Sequence, residues 1–542
     1  MPLIDEIRAQ ELERLARARF DAELTEPELK ILRDSASSVD PPEPDEKTPK
    51  PEVRAEFLRW LATDAEAATH IDPRGIRVWG ATVPRTLDLD ECRVSARLYF
   101  RRCEFKSEIS LESARTRGIF VLDSAVAEIT ADRAFIDGPL FLRRTQATGE
   151  VRLPRAEIAV DLDCSGAKLT AEGDALSADG ARIGGSVFLR EGFECSGEIR
   201  LLGAAIAGDL SCSGAKLTAK GYALSADGAR IGGNVFLREG FECSGQIRLL
   251  GAEIEGDLTC VDSAIRSISC LNLAVGGDLL WYEVRNAGTA GLILSGASIK
   301  NLRDDKESWP SEGNLVLDGL EYEELTLHER PTSEEIEQHY HSAELPLSAD
   351  ERIEWILRQG PERREEPQPW MQLRSLLEKK GDRKGAKHVL YRFRCLEADK
   401  SRFLLRWWKK IFAWIEENEF RIAWPIAATL LIGTLIFNWA GNQKAMTPTD
   451  AGAAGSISAH YPKYQPFIYT LENSVPLVKF GMDNKWAPDP APPFCQPWFP
   501  SVPWLYFIST YGVLVFTRWA LIVGGWFQAS VLAAALAGRF KN

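Results

Sequence analysis

Apolar and polar residues alternate over three to five positions at a time along the middle of the chain. Val187 and Leu189 form one such pair, and Ile199 and Leu201 form another. A period of two is typical of β-strands. Glycines recur between these segments, where a coiling chain must turn a corner. The pattern therefore predicts many short strands separated by tight turns.

This pattern repeats almost letter for letter. Residues 161–208 return as residues 209–256, a period of 48, and a third copy opens at Asp257. The two halves of each copy align on an apolar strand, a central glycine and a closing Gly-Ala-x-Ile-x-Gly motif, so one turn spans about 24 residues. A turn of this length with two to four tiny strands predicts a mainly β fold, a right-handed parallel β-solenoid.

A looser version of the pattern extends in both directions, so residues 75–327 are predicted to form one solenoid of about eleven turns, about 50 Å long. Residues 1–37 have helical periodicity, and residues 38–52 form a proline-rich linker. Residues 53–74 predict a helix that caps the first turn. Residues 328–421 predict a helical adaptor, which includes an αα-hairpin over 367–397.

Two apolar segments near the end of the chain predict transmembrane helices. Residues 422–440 hold no charge and reach about 28 Å as a helix, close to the thickness of a bilayer core. Residues 503–542 contain a longer apolar stretch, interrupted by Arg518. Within it, residues 519–538 are the predicted span, and residues 503–518 are expected to be interfacial, re-entrant or a protruding extension.

Basic residues predict the orientation in the membrane. Residues 379–421 carry thirteen Lys and Arg against six Asp and Glu, whereas residues 441–502 carry four Lys and no Arg. The positive-inside rule places both termini in the cytoplasm and makes residues 441–502 an extracytoplasmic loop of a multi-pass inner-membrane protein. The net charge of −13 disfavours nucleic acid as a partner.

Segments such as GAKLTA, GARIGGSVFL and GAAIAGDLSC resemble degenerate pentapeptide-repeat coils. The order of parts is similar to that of a group of uncharacterised bacterial membrane proteins, with an RAEFLRWL-type helix, loose coils, a QPxxxL hairpin and a two-span tail. Some of those proteins are labelled oxidoreductases, but no residue of this chain supports that label. The resemblance implies no known activity.

The sequence offers no catalytic, cofactor-binding or metal-ligating residues. It contains no GxSxG, P-loop or CxxC motif. His339 and His341 do not share a helix face and predict solvated side chains. Five cysteines recur at the repeat period and predict buried thiols, too far apart for a disulfide: Cys164, Cys195, Cys212, Cys243 and Cys260. The predicted function is therefore a membrane-tethered, non-catalytic scaffold for an unknown cytoplasmic protein.

Two alternatives stay open. Residues 466–481 lie between the spans and could form a short re-entrant helix, the outline of a two-span cation channel gated by the solenoid. Its possible pore-lining residues are Thr470, Glu472, Asn473 and Ser474. Small residues at Gly525 and Ala529, and at Ala534 and Gly538, predict a homo-oligomer through the second span. The other alternative is that the acidic surface of the solenoid mimics nucleic acid.

Overall fold

Short parallel strands stacked in register build the larger part of this protein. The structure, a computed structural model, describes residues 2–20, 23–42, 49–328, 344–345, 348–450, 461–475, 478–490 and 510–539. They divide into two compact units, Met1–Val389 and Leu390–Asn542.

The first unit contains a parallel β-solenoid of about eleven turns. One column of stacked residues runs its whole length: Ile76, Leu98, Ile119, Leu140, Leu162, Val187, Leu210, Val235, Leu258, Leu279, Leu302 and Leu325. The twelve positions enclose eleven turns, and the 48-residue repeat spans two of them. The fold class predicted from the sequence is confirmed.

The strands are two to eight residues long, and a regular turn contains four of them. The strands of the first half are β1 (Ile76–Trp79), β2 (Thr82–Val83), β3 (Leu87–Asp88), β4 (Leu98–Arg101), β5 (Glu104–Ser110), β6 (Arg115–Thr116), β7 (Ile119–Leu122), β8 (Ala125–Thr130), β9 (Phe135–Ile136), β10 (Leu140–Phe141), β11 (Gln146–Ala147), β12 (Val151–Arg152), β13 (Glu157–Ile158), β14 (Leu162–Asp163), β15 (Lys168–Leu169), β16 (Asp174–Ser177), β17 (Arg182–Ile183) and β18 (Val187–Phe188).

The second half contains β19 (Glu194–Cys195), β20 (Glu198–Arg200), β21 (Ala205–Ile206), β22 (Leu210–Ser211), β23 (Lys216–Leu217), β24 (Tyr222–Ser225), β25 (Arg230–Ile231), β26 (Val235–Phe236), β27 (Glu242–Arg248), β28 (Glu253–Ile254), β29 (Leu258–Thr259), β30 (Ala264–Ser269), β31 (Ala274–Trp281), β32 (Gly291–Ile293), β33 (Ser298–Asp304), β34 (Leu315–Val316) and β35 (Glu321–His328). A last short strand, β36 (Glu344–Leu345), pairs antiparallel with β35.

Backbone hydrogen bonds join each turn to the next. The amide of Leu162 donates to the carbonyl of Ser186 at 3.0 Å, and that of Leu210 donates to Asn234 at 2.9 Å. The inward side chains are mainly Leu, Ile, Val, Ala and Cys, and they are fully buried along the stack. Burial of a Leu or Ile contributes about 1.5–3 kcal/mol relative to exposure. The narrow interior expected from the repeat is confirmed.

Left-handed backbone conformations turn the corners. Gly203 adopts φ 62° at one corner, and Arg133 and Arg155 occupy the equivalent corner of earlier turns with φ 56° each. The sequence pattern pointed to glycines at these corners, because a side chain makes this conformation costly by about 1–2 kcal/mol. The earlier turns accept that cost, which is why glycine spacing alone did not show every corner.

A ladder of polar side chains satisfies the backbone at another corner. Asp209 Oδ1 accepts from the amide nitrogen of Asn234 at 2.7 Å and from its Nδ2 at 3.1 Å. Asn234 Oδ1 then accepts from the amide of Asp257 at 2.9 Å, and Asp257 Oδ1 accepts from Asp278 at 2.7 Å. Each side chain therefore bonds a backbone N–H of the following turn.

The N-terminal helices are α1 (Pro2–Arg19), α2 (Glu26–Ala36), α3 (Ala55–Thr63) and α4 (Ala65–His70). Residues 1–37 thus contain two helices and not one. The side chain of Glu28 is fully buried and accepts two 2.7 Å bonds from Arg54. Val53 donates to Thr82 O, and Thr82 donates to Pro51 O, so the chain between α2 and α3 pairs with β2. These contacts cover the first strand edge.

The last strand edge is covered by the two helices that follow it, α5 (Ala349–Leu357) and α6 (Pro367–Lys379), and α7 (Arg383–Asp399) comes next in the chain. Gln368 accepts from the amide of Gly319 at 3.0 Å and donates to Leu320 O at 2.7 Å. Gln372 donates to Tyr322 O at 3.0 Å. Glutamine amides thereby take the place of a further turn, and the region predicted as an adaptor begins as a C-terminal cap.

The second unit contains α8 (Phe403–Glu417), α9 (Ala423–Asn442), α10 (Pro466–Ser474), α11 (Met482–Lys485) and α12 (Thr510–Arg539), with a small hairpin of β37 (Met446–Pro448) and β38 (Trp486–Pro488). A short 3₁₀ turn, Glu419–Ile422, precedes α9. The core of the second unit is formed by Phe437, Ala440, Ala445, Met446, Tyr469, Met482, Leu514 and Leu521.

Two of these helices are long and apolar enough to cross a membrane, Ala423–Asn442 and Thr510–Ala533. The first agrees with the predicted span. The second begins nine residues before Trp519, because α12 is one continuous helix of 30 residues. Residues 510–518 are therefore helical and continuous with the span, while residues 503–509 lie outside the described residues.

Two glycine substitutions distinguish the two reasons for glycine in the turns, which are a left-handed backbone conformation and the close approach of the neighbouring turn. A Cβ on Gly184 would overlap the carbonyl oxygen of Ala159 in the preceding turn, whereas a Cβ on Gly203 would meet nothing within 4 Å. We expect Gly203→Ala to lower the free energy of unfolding by about 1 kcal/mol through its backbone conformation alone. Gly184→Ala should cost about 3 kcal/mol, because the stacked backbone must move. Urea unfolding followed by circular dichroism measures both, and equal losses would contradict this account.

Candidate functional site

The four residues predicted to line a pore lie on α10, which packs against both α9 and α12. Thr470, Glu472, Asn473 and Ser474 are all buried, with exposed fractions of 0–6%. The predicted short helix between the spans is thus present. Its polar side chains contact other parts of the same unit.

Two of these side chains bond the segment after α10 and the second candidate span. Glu472 accepts from the backbone amides of Phe480 and Asp483, the latter at 2.7 Å. Asn473 Oδ1 accepts from Arg518 Nε at 3.0 Å, and Arg518 also donates to the Asp483 carbonyl at 3.2 Å. Arg518, which interrupts the apolar sequence of α12, therefore has polar partners on α10 and α11.

The other two side chains bond within α10 itself. Thr470 Oγ1 donates to Pro466 O at 2.9 Å, and Ser474 Oγ donates to Thr470 O at 2.7 Å. Hydroxyl groups that bond the carbonyl four residues earlier suit a buried helix, because no further partner is needed. The geometry of the unit explains these residues structurally, and their pore-lining role stays a prediction.

Small residues bring α10 close to both candidate spans. A Cβ on Gly433 of α9 would lie 2.6 Å from Thr470 Cγ2, and one on Gly525 of α12 would overlap the Ser474 carbonyl. Gly525, which the sequence suggested for contact between copies, therefore packs against α10 of the same chain. Ala529 is exposed, and the side chains of residues 534–539 lie outside the described residues.

The repeated cysteines are buried inside the solenoid, as predicted. Burial raises the pKa of Cys195 and of Cys243 to about 12, and raises that of Cys164 further above its ordinary value. Thiols this weakly acidic are poor nucleophiles at neutral pH. Within the described ranges, no three His, Cys, Asp or Glu side chains are placed to hold a metal ion. His339 and His341 lie outside those ranges.

The outer surface of the solenoid carries a regular feature that we call the ladder face. It consists of half-buried aromatic rings on one sheet and of arginines beside them: Tyr99, Phe120, Phe141, Phe188 and Phe236, with Arg101, Arg143, Arg190 and Arg238. Each arginine follows an aromatic position by two residues. Arg143, Arg190 and Arg238 lie just past their strands and contact the rings of Phe141, Phe188 and Phe236.

Stacking holds the guanidinium groups of the ladder face flat on the rings. Arg190 lies 4.2 Å from the ring centre of Phe188, and Arg238 lies 4.3 Å from that of Phe236. Each of these arginines also forms an ion pair with the next residue, at 3.5 Å to Glu191 and 3.1 Å to Glu239. Cation–π contact adds about 0.5–1 kcal/mol at exposed sites.

The ladder face was not predicted from the sequence, although a signal for it was present. The segment Val-Phe-Leu-Arg-Glu occurs at 187–191 and again at 235–239. Its Val and Leu point inward, so its Phe must point outward. An aromatic residue at an outward position of a repeat is the sign of a surface used for contact.

Comparison with protein-family models, with curated proteins and with solved structures finds no match to this chain. The geometry of the two units is therefore the basis on which a function can be proposed. The resemblance drawn from the sequence stays a prediction.

Neighbouring glycines of α12 test the packing of α10. Gly525→Ala should lower the free energy of unfolding of this unit by about 2 kcal/mol, because the Ser474 carbonyl must move. Gly524→Ala is the matched control, since a Cβ there meets nothing within 4 Å and its effect should stay within about 0.5 kcal/mol. Unfolding in a denaturing-detergent titration measures both. Equal effects would show that α10 does not pack at Gly525.

Proposed function

We propose that this protein is a membrane-tethered solenoid scaffold, which binds a protein partner along the ladder face. The observation that carries the proposal is the covering of both strand edges by the chain itself. The segment 51–53 occupies the first edge, and Gln368 and Gln372 bond the last. With both edges taken, only the sides of the solenoid are available for contact. On the ladder face, stacked ring–arginine pairs recur at the 48-residue period.

Attachment to a bilayer explains the apolar surface of the second unit. Only 17% and 22% of the residues in the two candidate spans are buried. Large side chains stand exposed on both, including Trp424 and Leu435 on α9 and Phe516 and Val523 on α12. A core helix of a soluble protein would be mostly buried, and lipid covers such surfaces favourably. The proposed tether lies in the inner membrane, and the basic residues of 379–421 support an orientation with both termini in the cytoplasm.

The chemistry of the ladder face fits an extended acidic segment of a partner protein. Phe188 and Phe236, with Arg190 and Arg238 beside them, are two turns apart, about 9–10 Å. One turn of a polyproline II helix, three residues at about 3.1 Å each, spans about the same distance and brings every third side chain to the same side. A partner segment with a carboxylate at every third position would therefore meet successive arginines while its other side chains contact the rings. Nucleic acid is disfavoured by the net charge of −13.

Site-specific photo-crosslinking in cells tests this function. A photoreactive residue at Phe188 or Phe236 should link the same partner, through an acidic segment of that partner. The same residue at Lys216, an exposed position on the other sheet, should not. Combining Arg190→Gln with Arg238→Gln should lower the yield about fivefold, because two charge-assisted contacts are lost.

Matched controls come from the same two repeats. Arg182 and Arg230 are exposed, 48 residues apart, and outside the ladder face. Arg182→Gln combined with Arg230→Gln should leave the yield unchanged. Equal linkage from Lys216, or a linked partner segment without carboxylates, would refute the proposed function.

A cation channel is the second candidate, favoured by the short helix α10 between the two candidate spans. Conduction would require several copies around an axis, because two spans cannot enclose a water path. Purified protein in planar bilayers should then show cation-selective currents that change in Glu472→Gln. The bonds of Glu472 to Phe480 and Asp483 favour the scaffold, which predicts no current.

A further inference from the structure

A cavity of about 280 Å³ lies against the first turns of the solenoid. Four arginines and two aromatic rings dominate its wall, and Phe100 and Leu122 add an apolar part: Arg74, Arg77, Arg97, Arg101, Trp79 and Tyr99. Arg101 stacks over Trp79 at 5.5 Å. The cavity thus combines a cationic wall with an apolar one.

The charges around this cavity are unbalanced. Asp40 is the one carboxylate among its lining residues, and it lies 3.0 Å from Arg77 and 3.7 Å from Arg74. Arg101 forms an ion pair at 3.7 Å with Asp123, which is not a lining residue. Arg97 is exposed and has no carboxylate within 4 Å among the described residues. The surrounding chain is also basic, since residues 75–155 carry fourteen Lys and Arg against eleven Asp and Glu. Residues 156–327 carry fourteen against twenty-seven.

Arg77 is held beside the cavity by the chain itself. Its side chain is only 3% exposed, and its terminal nitrogens donate to the carbonyls of Ser37 and Val39 and to Asp40. Arg74 and Arg97 are exposed, so their guanidinium groups are accessible to an anion that enters the cavity.

We propose that this cavity binds a small, freely diffusing phosphate-bearing anion, such as pyrophosphate or a phosphate monoester. Guanidinium groups match the geometry of phosphate oxygens and bond them in pairs. Four of them around one small space attract a multiply charged anion more strongly than a single carboxylate. Leu122 and the rings of Trp79 and Tyr99 leave an apolar wall for the organic part of an ester. This site shares Tyr99 and Arg101 with one end of the ladder face, but anion binding in it does not rest on the ladder-face function.

Calorimetric titration of the full chain in nanodiscs of zwitterionic phosphatidylcholine tests the site. Pyrophosphate and glycerol phosphate should each bind, and the affinity should fall as the salt concentration rises. Arg97→Gln and Arg74→Gln should each weaken binding about tenfold, since a charge-assisted bond pair is lost. Arg230→Gln removes a comparably exposed arginine far along the solenoid and should leave the affinity within about twofold.

Each other outcome overturns the proposal. Neither probe binding to the wild-type chain would show that the cavity takes no phosphate. Equal weakening by Arg230→Gln would show attraction by general charge. Nanodiscs that contain phosphatidic acid separate the two sources of phosphate, and the pyrophosphate affinity should not change in them. Its loss there would assign the cavity to a lipid headgroup and contradict a soluble ligand. Arg97 is exposed, so its variant should fold even if Arg74→Gln does not.

Discussion

Hydrogen bonding between successive turns is the constraint on which this structure depends. Every turn of a parallel solenoid presents backbone donors and acceptors on both edges, and each must be bonded by something. Inside the stack the neighbouring turns form these bonds. At one corner the side-chain hydrogen bonds that run from Asp209 to Asp278 contribute as well. At the last edge the buried Arg352 also donates two 2.8 Å bonds to Asp304, which anchors α5 to β33. Removing one partner of such a pair costs about 3–5 kcal/mol.

This constraint also directs function to the sides of the molecule. A closed stack with a filled interior has no internal space for chemistry, and its cysteines are buried with raised pKa values. The residues at the outward positions of the strands differ from turn to turn. On the ladder face those positions carry Phe188 and Phe236 with stacked arginines. The architecture therefore favours recognition along a surface, and α9 and α12 are the two candidate membrane-spanning helices.

The sequence predicted those features that follow from the repeat itself. The 48-residue period contained the two turns, the inward residues and the buried thiols, because every copy faces the same neighbours. Features formed between distant segments were not visible. Gln368 and Gln372 do not signal a cap until they lie against β34 and β35, and the hairpin was expected to be an adaptor. Likewise, Asn473 and Arg518 are 45 residues apart, and only folding brings them together.

Excision of two turns tests the stacking account most directly. Deleting residues 209–256 joins Gly208 to Asp257, which continues the same repeat, so the shortened chain should unfold cooperatively in urea with a solenoid of about nine turns. Deleting only residues 209–220 shifts every later residue by about half a turn, and that chain should not fold. Circular dichroism during urea titration of both chains gives the answer. Equal tolerance of the two deletions, or loss of cooperative unfolding in the first, would contradict the account.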